Sequence, residues 1–334
     1  MSFRNKTGST AGTSNTRAIT EGAMLIGVTV ILAFVSRYLP IFGLFLAAPI
    51  ALVVVRHGFG FGLLSGAVAM LLVFAFEGIS ALITAADVVI AGLALGVAHE
   101  RFAHRPAMAF LVTAVGYIVS FVFIVYIAAA VMGITDATPS AYIDSFLEAY
   151  QSVSERMSKF GAPSAPLDPE ALRPYLIMSI PALVCLSAAG NAAVVFWIFR
   201  KIVRRFGVQV GEIPPFRKWR LGWKYGWGFV LGFLLITLGG WFDMELLIRI
   251  GLNLFLVFYM IFTIQGWAVI VHFLAGWQTS AGLKALVIVF ALFVGVAQLA
   301  FAAAPWLGAL DAWLDFRRLE VAPDESDPNR GSQG

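Results

Sequence analysis

Residues 244–274 read "MELLIRIGLNLFLVFYMIFTIQGWAVIVHFL". Wound as an α-helix at about 1.5 Å per residue, this run is about 46 Å long. The hydrocarbon core of a bilayer is about 30 Å thick, so the helix must tilt or project beyond the lipid. Its acidic and basic residues, Glu245 and Arg249, lie near the start. Glu245, Arg249 and Asn253 are four apart and share a face, which predicts an ion pair between the first two near one membrane surface.

The rest of the chain repeats the pattern. Of 334 residues, 60% are hydrophobic and 13% charged, against roughly a quarter charged in an ordinary soluble domain. No soluble core of this length absorbs that much apolar surface, and a bilayer does. The expected fold is all-α, a polytopic integral membrane bundle of about nine helices (8–10). The expected spans are 18–37, 39–55, 59–76, 80–98, 107–133, 172–199, 225–241, 244–274 and 281–306. The polar residues 1–17 are expected to be disordered. The apolar run that follows is too long for a secretory signal and lacks a cleavage site, so it is expected to stay as the first span. The lone Cys185 lies in an apolar run and excludes a disulfide framework; it is expected to pack as a small apolar residue.

Charge placement orients the spans. The segment 99–105, "HERFAHR", adds His99, His104 and a surplus arginine. The segment 200–224 carries Arg200, Lys201, Arg204, Arg205, Arg217, Lys218, Arg220 and Lys224 against Glu212 alone, whereas 134–174 is acidic. Lys and Arg collect on the cytoplasmic side. With the N-terminus cytoplasmic, nine spans put both basic loops inside, the acidic loop outside, and the C-terminal tail 307–334 outside. The expected setting is the bacterial inner membrane.

Within the inner loop, Arg217, Lys218, Trp219, Arg220 and Trp223 form a cytoplasmic interface. Rings at headgroup level with cations just beyond them mark a membrane edge, and a partner protein could dock on the same surface. Nucleic-acid binding is not expected, because it needs a folded basic face with stacking rings. In the outer segment, Thr138 and Pro139 predict a helix start. An apolar stripe from Ile143 through Phe146, Leu147, Tyr150, Val153 and Met157 to Phe160 predicts an amphipathic helix. Asp168 and Pro169 repeat the capping pattern.

Catalytic signatures are missing. The histidines of "HERFAH" are five apart and diverge by about 140° on a helix, so they cannot share a metal from one face. "HGFGFGLLSG" lacks the lysine of a phosphate loop; Gly58, Gly60, Gly62 and Gly66 mark a turn and a close helix contact instead. No enzyme activity, metal or cofactor is expected. Ionisable groups at membrane depth usually face protein or a cavity, which makes Asp87 a candidate ligand-binding group. Asn191, among small residues, is the second. Glu21, Gln265, His272 and Gln298 are weaker candidates. Ala18, Gly22, Ala23 and Gly27 form a small-residue face for a partner helix.

Several stretches carry a family resemblance. They are residues 16–66, from "TRAITEGAM" to "GLLSG", with "PPFRKWRLGW", "QGWAVIVHFLAGW" and "DAWLDFRR". Together they resemble the YybS-like family of bacterial membrane proteins, a domain of unknown function. The N-terminal part is in turn similar to the S components of energy-coupling-factor transporters. That likeness implies a six-helix domain over 18–205, with the amphipathic outer loop 134–174 inside it. It also implies a bound small molecule and docking of the first-span face on a T-type component driven by separate ATPases. The segment 206–306, the basic loop with three further spans, goes beyond that pattern. The function expected is transport-related binding or translocation of a small molecule; the alternative is a non-transporting scaffold that recruits a cytoplasmic partner through 200–224.

Overall fold

A computed structural model describes residues 10–78, 80–132, 139–159, 168–208, 210–277, 279–280, 282–283 and 296–317. Among them every regular element is helical, and the chain divides into two compact units, 1–213 and 214–334. Five described helices are long and apolar enough to cross a membrane, lying within Thr16–Tyr38, Phe59–Glu77, Pro106–Val125, Ile180–Arg205 and Glu245–Gly276.

In the first unit the helices are α1 (Thr10–Tyr38), α2 (Ala47–His57), α3 (Phe59–Glu77), α4 (Ser80–Phe102), α5 (Pro106–Met132), α6 (Pro139–Lys159), α7 (Pro169–Met178) and α8 (Ile180–Arg205). The second expected span is shorter than the sequence implied. Pro40 starts a 3-10 turn that runs to Phe45, and α2 then has 11 residues, about 16 Å. Ala47 to Val54 are all buried, which explains an uninterrupted apolar sequence: a helix covered on every side needs no polar face. Gly58, at φ +84°, turns the chain into α3, a conformation nearly barred to residues with a Cβ. Gly62 and Gly66 then let α3 lie against Val54 of α2 and Val89 of α4.

The sixth expected span is two helices. Pro181 brings no N–H to continue the ladder, and the break falls at Ser179, between α7 and α8. The second cap matches expectation, Asp168 accepting from the backbone N–H of Glu170 at 3.0 Å ahead of Pro169, and the described part of α6 begins at Pro139. Thr138 lies outside the described residues. Ile143 and Leu147 of the stripe are buried, while Phe146 is exposed.

Two supposed loop residues belong to the core. His99 and Arg200 are 1% and 5% exposed. His99 sits beside the rings of Phe196 and Phe199, its Nδ1 3.0 Å from the Leu95 carbonyl. Arg200 lies over Phe196 and donates to the Gly211 carbonyl. Conversely, Cys185 is exposed on α8 rather than packed.

The second unit contains α9 (Gly226–Trp241), α10 (Glu245–Gly276) and α11 (Val296–Leu314). Both α9 and α11 pack on α10 by glycine contacts. An added Cβ at Gly232 would meet the backbone N of Phe255 at 2.7 Å, and one at Gly251 the N of Ile236 at 2.7 Å. On α11, Ala304 backs onto Gly266 and Gly308 onto Phe262. The pairing steps backward along α10 as α11 advances, so these two helices are antiparallel. Phe229, Phe262, Ala309 and Ala312 are buried at the centre with Phe255 packed against them, while the exposed Trp306 meets Phe229 edge-on. The expected Glu245–Arg249 pair forms, exposed, at 3.1 Å.

Candidate functional site

Gln265 lies on the buried side of α10, 2% exposed, in an otherwise apolar neighbourhood. A buried amide without hydrogen bonds is costly, and here both ends are satisfied. Its Nε2 donates to Asp311 Oδ2 at 3.1 Å, and its Oε1 accepts from the Leu221 N–H at 3.1 Å. Asp311 is fully buried on α11. The helix ends at Leu314, and Asp315 adopts φ +45°, a left-handed conformation that aspartate tolerates better than most residues. The chain doubles back there and lays Arg317 over Asp311.

Arg317 then serves two masters. Its Nη2 donates to Asp311 Oδ2 at 2.7 Å and its Nε to both carboxylate oxygens at 3.2 and 3.3 Å. Its Nη1 donates to the Arg217 carbonyl at 2.9 Å and its Nη2 to the Trp219 carbonyl at 2.7 Å. Together with the Gln265 contact, backbone groups of residues 217, 219 and 221 are all fixed. Planar guanidinium geometry suits such multiple donation. Three stretches far apart in sequence, "PPFRKWRLGW", "QGWAV" and "DAWLDFRR", thereby converge on one buried polar centre.

The loop held this way shows its side chains to the outside. Arg217, Lys218, Trp219, Arg220, Trp223 and Lys224 are exposed. The Trp219 indole donates to the Pro214 carbonyl at 2.9 Å and its ring meets Phe216 edge-on at 5.3 Å. Arg220 pairs with Asp315 at 3.1 Å. Arg217, Lys218 and Lys224 have no carboxylate within 4 Å among the described residues. The oxygens of Asp311 are engaged by Arg317 and Gln265, and the centre as a whole clamps the loop backbone.

The hydrogen bonds of Arg317 to the Arg217 and Trp219 carbonyls place residue 317 beside the basic loop. Of the ninth expected span, 281–306, only 282–283 and the part from Val296 onward are described.

The first unit holds the remaining candidates apart. Asp87 lies on α4 with its side chain outside the described residues. Asn191 is half-buried on α8. The cavity bounded by Thr29, Ala33, Ala69, Met70, Val73, Val88 and Val89 is apolar and about 10 Å³ in volume, about one water. Of the small residues on α1, Ala18 and Gly22 are buried, Gly22 near Ser65 of α3, whereas Ala23 is exposed and Gly27 meets open space. Glu21 holds a polar cluster that sequence reading missed: His57 Nε2 at 2.8 Å, Arg17 at 3.1 Å and Arg56 at 3.2 Å. Between α6 and α7, Arg173 grips Asp144 with two hydrogen bonds of 2.6 and 3.0 Å, which hold the Asp144 carboxyl below its ordinary pKa. Among the described residues no group of three His, Cys, Asp or Glu could hold a metal.

No solved structure matches the chain. Over 213 residues it is 28% identical to the uncharacterised protein YybS of Bacillus subtilis (strain 168), covering 61% of this chain and 67% of that protein. The model of the family described as predicted membrane protein (DUF2232) matches residues 27–312, nearly the whole membrane-embedded part including Gln265 and Asp311, and the chain belongs to that family.

Proposed function

We propose that the protein is a membrane-embedded scaffold that presents the loop Pro214–Tyr225 to a cytoplasmic partner. One observation carries this reading: a buried arginine, aspartate and glutamine fix the loop's backbone while its cations and rings face outward. A pre-ordered loop loses less entropy on binding than a free one, and lipid contact alone does not require a fixed backbone. Its position on the cytoplasmic side of a bacterial inner membrane follows from its positive charge. The test is a photo-crosslinking residue placed at Trp223 in cells. A discrete adduct that disappears in R217Q/K218Q, with the fold intact by thermal unfolding, supports docking. Crosslinking to lipid alone overturns it.

A second reading, transport-related binding of a small molecule by the first unit, rests on the separation of residues 1–213 as a compact unit and on the likeness to S components. Asp87 and Asn191 would then contact the ligand, and Ala23 with Gly27 would meet a T-type component. The small apolar cavity between α1, α3 and α4 does not favour it. Thermal stabilisation of the purified protein by a vitamin or nucleoside would put this reading first.

A further inference from the structure

Ile270, Phe273, Leu274 and Trp277 of α10 face Leu307 of α11 and Phe316 across an open apolar groove of about 720 Å³. That volume falls within the range of about 300–1,000 Å³ usual for small-molecule sites. Phe273, Trp277 and Phe316 are exposed there. From Ile270 to Trp277 the groove follows the helix for about 10 Å, against about 15 Å of hydrocarbon in one leaflet of a bilayer. Its polar neighbour is the basic loop. Phe316 stands between two residues that grip that loop: Asp315 pairs with Arg220 at 3.1 Å, and Arg317 donates to the Arg217 and Trp219 carbonyls. The turn Phe216–Lys218 also packs on α10. Arg220 and Arg317 are neutralised by Asp315 and Asp311. Arg217, Lys218 and Lys224 are exposed, with no carboxylate within 4 Å among the described residues.

We propose that the groove and the loop together form a site for one anionic phospholipid, with an acyl chain between α10 and α11 and the phosphate on Arg217 and Lys218. The choice of occupant follows from the two halves of the site. An apolar groove beside a cationic loop complements a molecule that has both an apolar chain and an anionic head. A zwitterionic lipid supplies the chain without net charge, and a free phosphate supplies charge without the chain. Basic pockets between membrane helices on the cytoplasmic side suit anionic head groups, and tryptophan, here Trp277, is enriched at headgroup level. Each Lys or Arg beside such a surface contributes about 1 kcal/mol, which is about fivefold in affinity. The site goes beyond the docking reading and needs no protein partner, so its failure leaves the Trp223 crosslinking test standing.

The test uses the full chain, stripped of lipid in a neutral detergent, and native mass spectrometry with phosphatidylglycerol or phosphatidylcholine of identical chains as probes. The unaltered chain is expected to retain one phosphatidylglycerol several-fold more tightly than phosphatidylcholine. R217Q/K218Q is expected to remove that preference, and F273S/W277S, which strips two exposed groove walls, to weaken both lipids. Soluble glycerol phosphate is expected not to compete. Equal affinity for the two lipids overturns the proposal, as does phosphatidylglycerol binding that F273S/W277S leaves unchanged, since charge on the loop alone would then hold the lipid. Competition by glycerol phosphate makes it a phosphate site and overturns the lipid. Retention of neither lipid also overturns it; a photo-crosslinker at Ile270 that then joins residues 284–295 or a second copy would show that protein covers the groove.

Discussion

Arg317 and Asp311 are six residues apart, and Nη2 of the first lies 2.7 Å from Oδ2 of the second with neither side chain exposed. Ion pairs of this kind are weak as net stabilisers and severe when half-removed. Arg317→Met is expected to cost about 3–5 kcal/mol and to open the 214–225 backbone to protease. Adding Asp311→Leu is expected to restore part of that loss. Thermal unfolding of the three variants in detergent checks this; additive losses would show that the pair is not coupled.

The glycine contacts of α10 give a test with a built-in control. A valine at Gly266 would collide with the Ala304 carbonyl, whereas Gly240 and Gly276 face open space. Gly266→Val is expected to destabilise the second unit by at least the ~1–3 kcal/mol of an overpacked core. Gly240→Val is expected to have a small effect on the melting temperature. Equal shifts would contradict the antiparallel α10–α11 packing.

Topology can be tested without assuming which face is cytoplasmic. In a Cys185→Ala background, single cysteines at Lys218 and Ser326 are expected to react with an impermeant thiol reagent from the same side of the membrane. Labelling from opposite sides would place Arg317 away from the loop and remove the clamp.

Asp144 supplies a pH dependence of known sign. Arg173 lowers its carboxyl pKa in the folded state, so the pair adds stability above the ordinary aspartate value of about 3.9. That contribution is lost as pH falls below this value through the lowered folded one. Hydrogen exchange of α6 is expected to quicken over that acid window in the native chain. In Asp144→Asn it should already be fast at neutral pH and flat across the window. No difference between the two would show that the pair does not hold α6.

Much of this was legible in advance. The all-helical membrane fold, the capped start of α7 at Pro169, and the turn at Gly58 follow from local rules of apolar length, capping and backbone freedom. The breaks at Phe45 and Ser179 were also written in the sequence, at Pro40 and Pro181, but continuous hydropathy hid them. The site was less legible. Gln265 is one polar residue in a long apolar helix, and nothing in its neighbourhood says what it bonds.

The sequence by itself determined that this chain lives in lipid and where most of its helices start, because those properties depend on residues a few positions apart. Only the tertiary structure decided that Gln265, Asp311, Arg317 and the basic loop form one centre. Those partners lie up to 100 residues apart, and a buried charge finds its counterpart through packing, which no local pattern records.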